Sequence, residues 1–230
     1  EGVYTSDPRI VSQARKLEKI TYEEMLEMAS LGAKVLQTRS VELAMNQAVR
    51  LQVRSSFRNL PGTMVVNEEE ILEKQVVSGI AYSRDEAKIT LVDVHNRPGV
   101  AAAIFGPLAK ANVNVDMIVQ STAANGESTD ITFTVAKSDF ERALEVINNS
   151  GEKLKFGDLL TDQTLVKISV IGVGMRSHAG VAKKMFETLA EKGINVHVIS
   201  TSEIKISVLI AEEYTELALR ALHTAYDLEV

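Results

Sequence analysis

Three features of the sequence predict an α+β protein that contains two ferredoxin-like βαββαβ domains after a mixed α/β region. A residue pattern recurs 81 positions later, so that Gly99 and Phe105 correspond to Gly180 and Phe186. Each copy contains apolar runs typical of strands, separated by apolar patterns with a helical period. The preceding residues do not share this pattern. Because solenoid repeats are only about 20–50 residues long, the wide spacing indicates a duplicated domain.

The N-terminal region, residues 1–66, mixes helical and strand patterns. Thr21 and Glu24 have the spacing of a capping box, in which each side chain accepts a hydrogen bond from the other residue's backbone amide. The helix that follows is predicted to end at Gly32, because glycine is common just after the last helical turn. A second amphipathic helix is predicted from Ser40. Alternating apolar residues predict strands at 51–55 and 63–66.

A charged segment separates this region from the repeat. Residues 67–75 include four glutamates and form a predicted linker. Each copy is expected to follow the order strand, helix, strand, strand, helix, with antiparallel strands and the helices on one face. A further strand is predicted at 76–82. The strands predicted within the repeat are 89–94, 113–120 and 130–135 in copy one, and 165–171, 194–201 and 204–210 in copy two.

The turn between the first strand and first helix of each copy is the main candidate for a ligand site. Its residues are 95–100 in copy one and 174–180 in copy two. The start of a helix exposes unpaired amides at the positive end of the helix dipole, and glycine lets a small ligand approach closely. Such a turn can hold a carboxylate. A free amino acid also has an ammonium group, and we expect Asp116 to accept its hydrogen bonds.

An ordinary strand-to-helix turn would explain either segment taken alone. The recurrence of the turn favours a binding site, because each helix is followed by a strand that begins with Asn-Val. His197 occupies the position of Asp116 in copy two, and a neutral imidazole cannot balance an ammonium group as a carboxylate does. The two copies are therefore not expected to bind the same ligand identically. A packed or hydrogen-bonded histidine is the simpler alternative for His197.

Composition and motifs exclude several other functions. The chain has 45% hydrophobic residues, no cysteine and a formal charge of −6, so a disulfide framework, a thiolate metal site and a nucleic-acid interface are not expected. The Gly172-Val173-Gly174 segment lacks the third glycine of a dinucleotide-binding motif. The four histidines lack metal-ligand spacing. No apolar run approaches the roughly 20 residues of a membrane helix, and we expect a cytoplasmic location.

Six segments resemble the aspartokinase family, and together they extend over nearly the whole chain. Glu1–Arg9 and Met28–Leu36 are similar to the end of the aspartokinase catalytic domain. The other four segments are similar to the paired ACT domains of that family. These segments are Val76–Ala81, Asn114–Gln120, Met175–Val181 and Ile199–Ile204.

The resemblance implies a link to the reaction of ATP and L-aspartate that gives 4-phospho-L-aspartate and ADP, the first step toward lysine, threonine and methionine. ATP and Mg²⁺ are expected for the complete enzyme, but no cofactor is expected in this chain. Tyr4, Arg9 and Lys34 are implied remnants of the nucleotide site, although Arg9 and Lys34 could also be ordinary surface charges. No catalytic residue is assigned. The family's N-terminal Lys-Phe/Tyr-Gly-Gly-Thr/Ser segment is absent, so this chain alone is predicted to be inactive.

The family also implies how the domains are organised. Residues 1–66 would be the end of the catalytic domain, residues 84–158 the first ACT domain, and residues 76–83 with 159–230 the second. Two chains would form a homodimer through these domains, bind threonine, lysine or both, and act on a catalytic domain or subunit. A free-standing ACT module that senses amino acids without a kinase is the alternative.

The effector-binding residues implied by the resemblance lie in both copies. Those of copy one are Arg97, Gly99, Val100, Ala101, Asn114, Asp116, Gln120, Thr129 and Asp130. Those of copy two are Met175, Ser177, His178, Val181, Asn195, Ser200, Thr201 and Glu203. Lining of the pocket without direct contact is the alternative for most of them.

Overall fold

A computed structural model describes residues 1–32, 35–71 and 75–229 of the chain. Within these residues the chain divides into two compact units, one formed by residues 1–83 and 167–230 and the other by residues 84–166. Lys34 and residues 72–74 of the predicted linker lie outside the described residues. None of the described helices combines the length and apolar character needed to cross a bilayer.

The N-terminal region forms a three-stranded sheet with two helices. Its elements are β1 (Lys19–Thr21), α1 (Tyr22–Ser30), α2 (Thr38–Asn46), β2 (Leu51–Val53) and β3 (Thr63–Val66). The sheet order is β1-β3-β2, with β1 parallel to β3 and β2 antiparallel to it. The predicted capping box is confirmed by the bonds between Thr21 and Glu24, and Gly32 has the expected positive φ of 102°. The three-residue strand β1 was not predicted, since it is too short to show alternation.

Copy one forms a complete βαββαβ unit. Its elements are β5 (Ala87–His95), α3 (Val100–Lys110), β6 (Val115–Thr122), β7 (Ser128–Val135), α4 (Phe140–Leu154) and β8 (Leu159–Asp162). The antiparallel sheet has the order β6-β7-β5-β8. Its core joins Leu91, Phe133, Leu108 and Ile147, which come from both central strands and both helices. Phe105 packs edge-on against Phe133, with 5.3 Å between the ring centroids.

Copy two repeats this arrangement but takes its fourth strand from another part of the chain. Its elements are β4 (Gly79–Ser83), β9 (Leu165–Ile171), α5 (Val181–Glu191), β10 (Val198–Thr201), β11 (Lys205–Ala211) and α6 (Thr215–Ala225). The sheet order is β10-β11-β9-β4, so the strand that precedes copy one lies in the sheet of copy two. This pairing agrees with the predicted interleaving. Helices α5 and α6 pack against each other.

The predicted boundary between the two domains requires one correction. We assigned residues 159–230 to copy two, but β8 pairs with β5 in the sheet of copy one, with Leu159 opposite Leu91 and Asp162 opposite Lys88. The strand has only four residues and ends in a polar pair, so its sequence does not distinguish it from a connection. The fold class itself, two antiparallel ferredoxin-like domains after a kinase-like fragment, is confirmed.

Candidate functional site

The predicted turns begin their helices in the same way in both copies. Gly99 and Gly180 precede 11-residue helices and have φ values of 87° and 99°, a region that favours glycine. Added Cβ atoms at these two positions would meet nothing within 4 Å, so each turn has open space beside its backbone. Both glycines are exposed. Each helix therefore places the positive end of its dipole at an accessible surface. The first amide of α3, that of Val100, donates to the Arg97 carbonyl oxygen at 3.2 Å.

Strand register divides the copy-one candidates between two ends of the sheet. His95 lies opposite Ser128 and Val94 opposite Thr129, which places Thr129 and Asp130 at the end of the sheet that carries the Gly99 turn. Gln120 lies opposite Ile131, level with Leu91 in the middle of β5. We call this the turn end. One oxygen of Asp130 accepts a hydrogen bond from the Asp93 amide at 2.9 Å. Thr129 is buried and donates to the Ser121 carbonyl oxygen at 3.1 Å, so its hydroxyl has a structural role.

Asp116 does not lie where its predicted role requires. It pairs with Thr134, which pairs in turn with Lys88 near the start of β5. The seven residues from Lys88 to His95 correspond to about 20 Å along a strand. Within one copy, Asp116 therefore cannot accept a hydrogen bond from an ammonium group seated at the Gly99 turn. The contact does not form within one copy because α3 returns the chain to the opposite end of the sheet before β6 begins. A role of Asp116 in a site shared with a partner chain stays a prediction.

Copy two has the same division. The Gly172 amide donates to the Ile204 carbonyl oxygen at 2.9 Å, so the turn lies beside the start of β11. Arg176 contacts Glu203 at 3.3 Å and Glu68 at 2.9 Å, which places these charges at the turn end. The turn-end candidates of copy two are Met175, Ser177, His178, Val181, Ser200, Thr201 and Glu203. Asn195 precedes β10 at the far end, as Asn114 precedes β6 in copy one.

The turn of copy two is held by its own backbone and side chains. Residues 173–177 form a short 3₁₀ helix, and the Nδ1 atom of His178 lies 2.8 Å from the carbonyl oxygen of Gly174. The Ser177 hydroxyl lies 3.2 Å from the same imidazole nitrogen. These contacts use polar atoms that we expected to bind a ligand. His178 therefore shapes the turn in this structure, while its exposed surface remains available.

A cleft of about 570 Å³ lies beside the copy-two turn. It is bordered by His178, Gly180 and the end of α6. The Tyr226 hydroxyl donates to the Val181 carbonyl oxygen at 2.7 Å, and burial raises the pKa of this phenol well above its usual range. The Lys184 ammonium lies 5.5 Å from the centre of the Tyr226 ring and 3.5 Å from Asp227. The sequence did not point to Tyr226, because no motif surrounds it.

The implied nucleotide-site residues do not form a phosphate or Mg²⁺ site among the described residues. The exposed Arg9 guanidinium is paired with Asp7, and this pairing is the main reason that the pKa of Asp7 is lowered. The Tyr4 hydroxyl is 3.4 Å from a Glu1 carboxylate oxygen. No group of three potential metal-binding side chains occurs in the described ranges. These residues therefore do not by themselves fit a nucleotide–metal complex, and the implied roles stay predictions.

The comparisons with known proteins match this architecture region by region. Residues 1–55 match the amino acid kinase family, and residues 88–152 and 168–226 each match an ACT domain. The fold and its two turns thus define a protein with paired ACT domains that follow part of an amino acid kinase domain.

Individual relatives identify the family. The aspartate kinase of Pseudomonas putida is 55% identical over 230 residues, which are 100% of this chain and 56% of that protein. A chain in the crystal structure of aspartokinase alpha and beta subunits is 47% identical, with a TM-score of 0.62 over 66% of this chain and 99% of that chain. This chain belongs to the aspartokinase family and corresponds to its regulatory portion. It spans about half the length of the curated relatives it matches.

A third relative was solved with small molecules. The crystal structure of Escherichia coli aspartokinase III in complex with lysine and aspartate, described as a T-state, is 25% identical. Its TM-score is 0.75 over 97% of this chain and 49% of that chain.

Proposed function

We propose that this chain is the feedback-control portion of an aspartokinase and that its turns bind threonine, lysine or both. The main observation behind this proposal is that the same turn occurs in both copies. In each, an exposed glycine with positive φ precedes an 11-residue helix and has open space beside it. Exposed helix amides suit a carboxylate. Asp130 in copy one and Glu203 in copy two are acidic side chains at the same end of the sheet, which suits an ammonium group. The lysine complex of the E. coli relative is consistent with this choice.

The proposal includes an assembly in which copies of the chain form a homodimer. Strand β6 is one of the two edge strands of the copy-one sheet, and β10 is one of the two edge strands of the copy-two sheet. Ile118 and Val119 of β6 are 51% and 37% exposed, and Ile199 of β10 is 46% exposed. An edge strand with exposed apolar side chains favours pairing with another chain. Sedimentation of the purified chain at several concentrations would test this, and a monomer at all of them would contradict it.

The proposed output is control of a cytoplasmic kinase. In the complete enzyme, ATP and aspartate would react with the help of Mg²⁺, and effector binding would favour a less active arrangement. Such coupling between sites typically amounts to about 1–3 kcal/mol, which changes activity from several-fold to about a hundredfold. The alternative, a sensing module unrelated to a kinase, is not favoured, because the aspartate kinase of P. putida matches 100% of the chain.

Calorimetric titration of the chain with threonine and lysine, separately and together, tests the effector sites. We expect saturable binding of at least one, weakened about tenfold or more by Gln120→Ala, the loss typical of a hydrogen bond to a charged group. Glu141→Ala is the control, because it removes an exposed carboxylate near the start of α4, away from β6 and from the Gly99 turn. Absence of binding to a folded wild-type sample would overturn the effector proposal and leave the family assignment intact.

A further inference from the structure

A buried carboxylate joins the N-terminal region to the turn of copy two. Glu24, in the first turn of α1, is 2% exposed. Its Oε2 atom accepts hydrogen bonds from the Thr21 amide at 3.2 Å and from the Thr21 hydroxyl at 3.1 Å, completing the capping box. Its Oε1 atom accepts from the Ser78 hydroxyl at 2.6 Å and from the Val173 amide at 2.9 Å. One side chain thus holds three segments that are far apart in sequence.

The two carboxylate oxygens of Glu24 accept hydrogen bonds from different parts of the chain. The bonds to Oε2 lie within four residues of one helix and would form in any helix with this capping box. The bonds to Oε1 come from Ser78, just before β4, and from Val173, the first residue of the 3₁₀ helix in the copy-two turn. Hydrogen bonds to a charged group are stronger than those between neutral groups, and a buried charge that loses them is costly. The contact with Oε1 therefore resists separation of α1 from the turn.

The backbone is closely packed at the same connection. A Cβ atom on Gly172 would lie 2.3 Å from the Val76 carbonyl oxygen, and one on Gly174 would lie 2.5 Å from that of Gln75. On the opposite side of this segment, a Cβ atom on Gly79 would lie 2.8 Å from the Thr5 carbonyl oxygen. The backbone of residues 75–79 therefore packs closely against both the copy-two turn and the N-terminal region.

A second polar contact lies one turn further along α1. The Lys205 ammonium, at the start of β11, contacts Glu27 at 2.7 Å, and both side chains are about a quarter exposed or less. Lys205 adjoins Ile204, whose carbonyl oxygen accepts the Gly172 amide. Two carboxylates of α1 therefore contact the turn end of copy two. Glu24 accepts a buried hydrogen bond from Val173, and Glu27 forms an ion pair with Lys205.

We propose that Glu24 is a coupling residue that transmits the state of the copy-two turn to α1. The ligand in this proposal is the one assigned under the proposed function. The route of the coupling is inferred independently from the hydrogen bonds to Oε1. A ligand that displaces the 3₁₀ helix at residues 173–177 must stretch the Val173 bond or move Glu24, and Glu24 lies in the first turn of the helix it would move. The capping bonds to Oε2 make the first turn of α1 follow the carboxylate. By thermodynamic linkage, a change in α1 would alter effector affinity in return.

Hydrogen exchange on the chain compares the two sides of this carboxylate. Ser78→Ala removes a bond to Oε1 and leaves the cap intact, whereas Thr21→Val removes the capping hydroxyl and leaves both Oε1 bonds intact. Without ligand, we expect Ser78→Ala to accelerate exchange about tenfold or more in both α1 and residues 173–177, as expected for a lost bond to a charged group. Thr21→Val should accelerate exchange in the first turn of α1 only. An increase in Ser78→Ala confined to residues 76–80 would overturn the coupling.

A second arm uses whichever of threonine and lysine binds by calorimetry. In the wild type and in Thr21→Val, ligand should slow exchange in residues 173–177 and change it in α1. In Glu24→Gln, whose oxygen can keep the capping bond while its amide NH2 group cannot accept the Val173 N–H, the change should persist in residues 173–177 and disappear from α1. An unchanged α1 response in Glu24→Gln would also overturn the coupling. If the wild type binds neither amino acid, the effector proposal fails, while the ligand-free arm still decides the role of Glu24.

Discussion

The two ACT copies share a template but differ in how completely each is built from its own residues. Copy one supplies all four of its strands, and its central strand β5 alternates between buried and partly exposed positions. Copy two takes β4 from the segment before copy one, and every residue of its central strand β9 is buried. A sheet with one solvated face shows alternation, whereas one covered on both faces does not. Copy one therefore forms a compact unit of its own, whereas copy two shares a core with the N-terminal region.

A pair of equivalent hydroxyl contacts shows the same difference. Thr90 and Thr132 lie 2.9 Å apart across β5 and β7, at partly exposed positions. Ser169 and Ser207 lie 2.7 Å apart in copy two, where both are almost fully buried. Two serines have less bulk than two threonines, which suits a covered face. The N-terminal core also shows that copy two and the N-terminal region pack together, because it includes Ile171 of β9 with residues of α1 and α2.

Core truncation should produce the largest effects and separate the two copies. Phe133→Ala removes a fully buried ring from copy one, and its free energy of unfolding should fall by about 3–5 kcal/mol. Faster hydrogen exchange should appear in α3 and α4 and leave α1 unchanged, because the core around Phe133 is drawn from residues 87–159.

Ile171→Ala is the matched variant in copy two. It should cost about 2–5 kcal/mol and accelerate exchange in α1, because Ile171 belongs to the N-terminal core. If both variants affected α1 equally, copy one would not be a separate module and the comparison would be wrong.

Glycine substitutions should give smaller effects that also differ between the copies. Gly172→Ala places a Cβ atom 2.3 Å from the Val76 carbonyl oxygen, and we expect a loss of about 1–3 kcal/mol as the backbone shifts. Gly106→Ala, inside α3, meets no atom beyond its chain neighbours within 4 Å. Because Pro107 follows it and disfavours a helical residue with a Cβ atom, the gain in helix propensity should be offset, and we expect a change within about 0.5 kcal/mol. Denaturant unfolding measures both. A neutral Gly172→Ala would show that the copy-two turn has room to move.

The sequence predicted most of the elements because their patterns are local. The capping box at Thr21 and the glycine at position 32 require only neighbouring residues, and the 81-residue repeat is visible without a structure. The strand β8 was missed because it is a short edge strand, and Leu160 in it is 56% exposed. Register, which decides that Asp116 lies far from the Gly99 turn, depends on where α3 returns the chain and is not a local property.

The contacts of Glu24 show a second limit of local patterns. The capping box predicts the partners of Oε2, but Ser78 and Val173 are 54 and 149 residues away and have no characteristic spacing. A buried glutamate with two occupied oxygens could be inferred only after the strands were placed. The sites where two distant regions meet were therefore the least predictable part of this protein.

The smallest predicted effect concerns a buried histidine that also joins the N-terminal region to copy two. His223 of α6 is fully buried, and its Nε2 atom lies 2.8 Å from the Thr5 hydroxyl. Burial lowers the pKa of His223, with a smaller opposing influence from Glu229. Because the unfolded chain binds the proton more readily, stability is fully present above the unfolded pKa of about 6.5 and falls as pH decreases toward the folded value.

His223→Gln removes this titration while keeping a group that can hydrogen bond to Thr5. We expect the free energy of unfolding of the wild type to decline more steeply than that of the variant as pH falls from about 7, and the two slopes to agree at higher pH. His95→Gln is the control, because His95 is an exposed histidine in copy one. Parallel slopes for the wild type and His223→Gln would mean that His223 binds protons equally in both states. The hydrogen bond between His223 and Thr5 would then add no pH dependence to stability. The two copies would differ in how their sheets are packed and not in their response to acid.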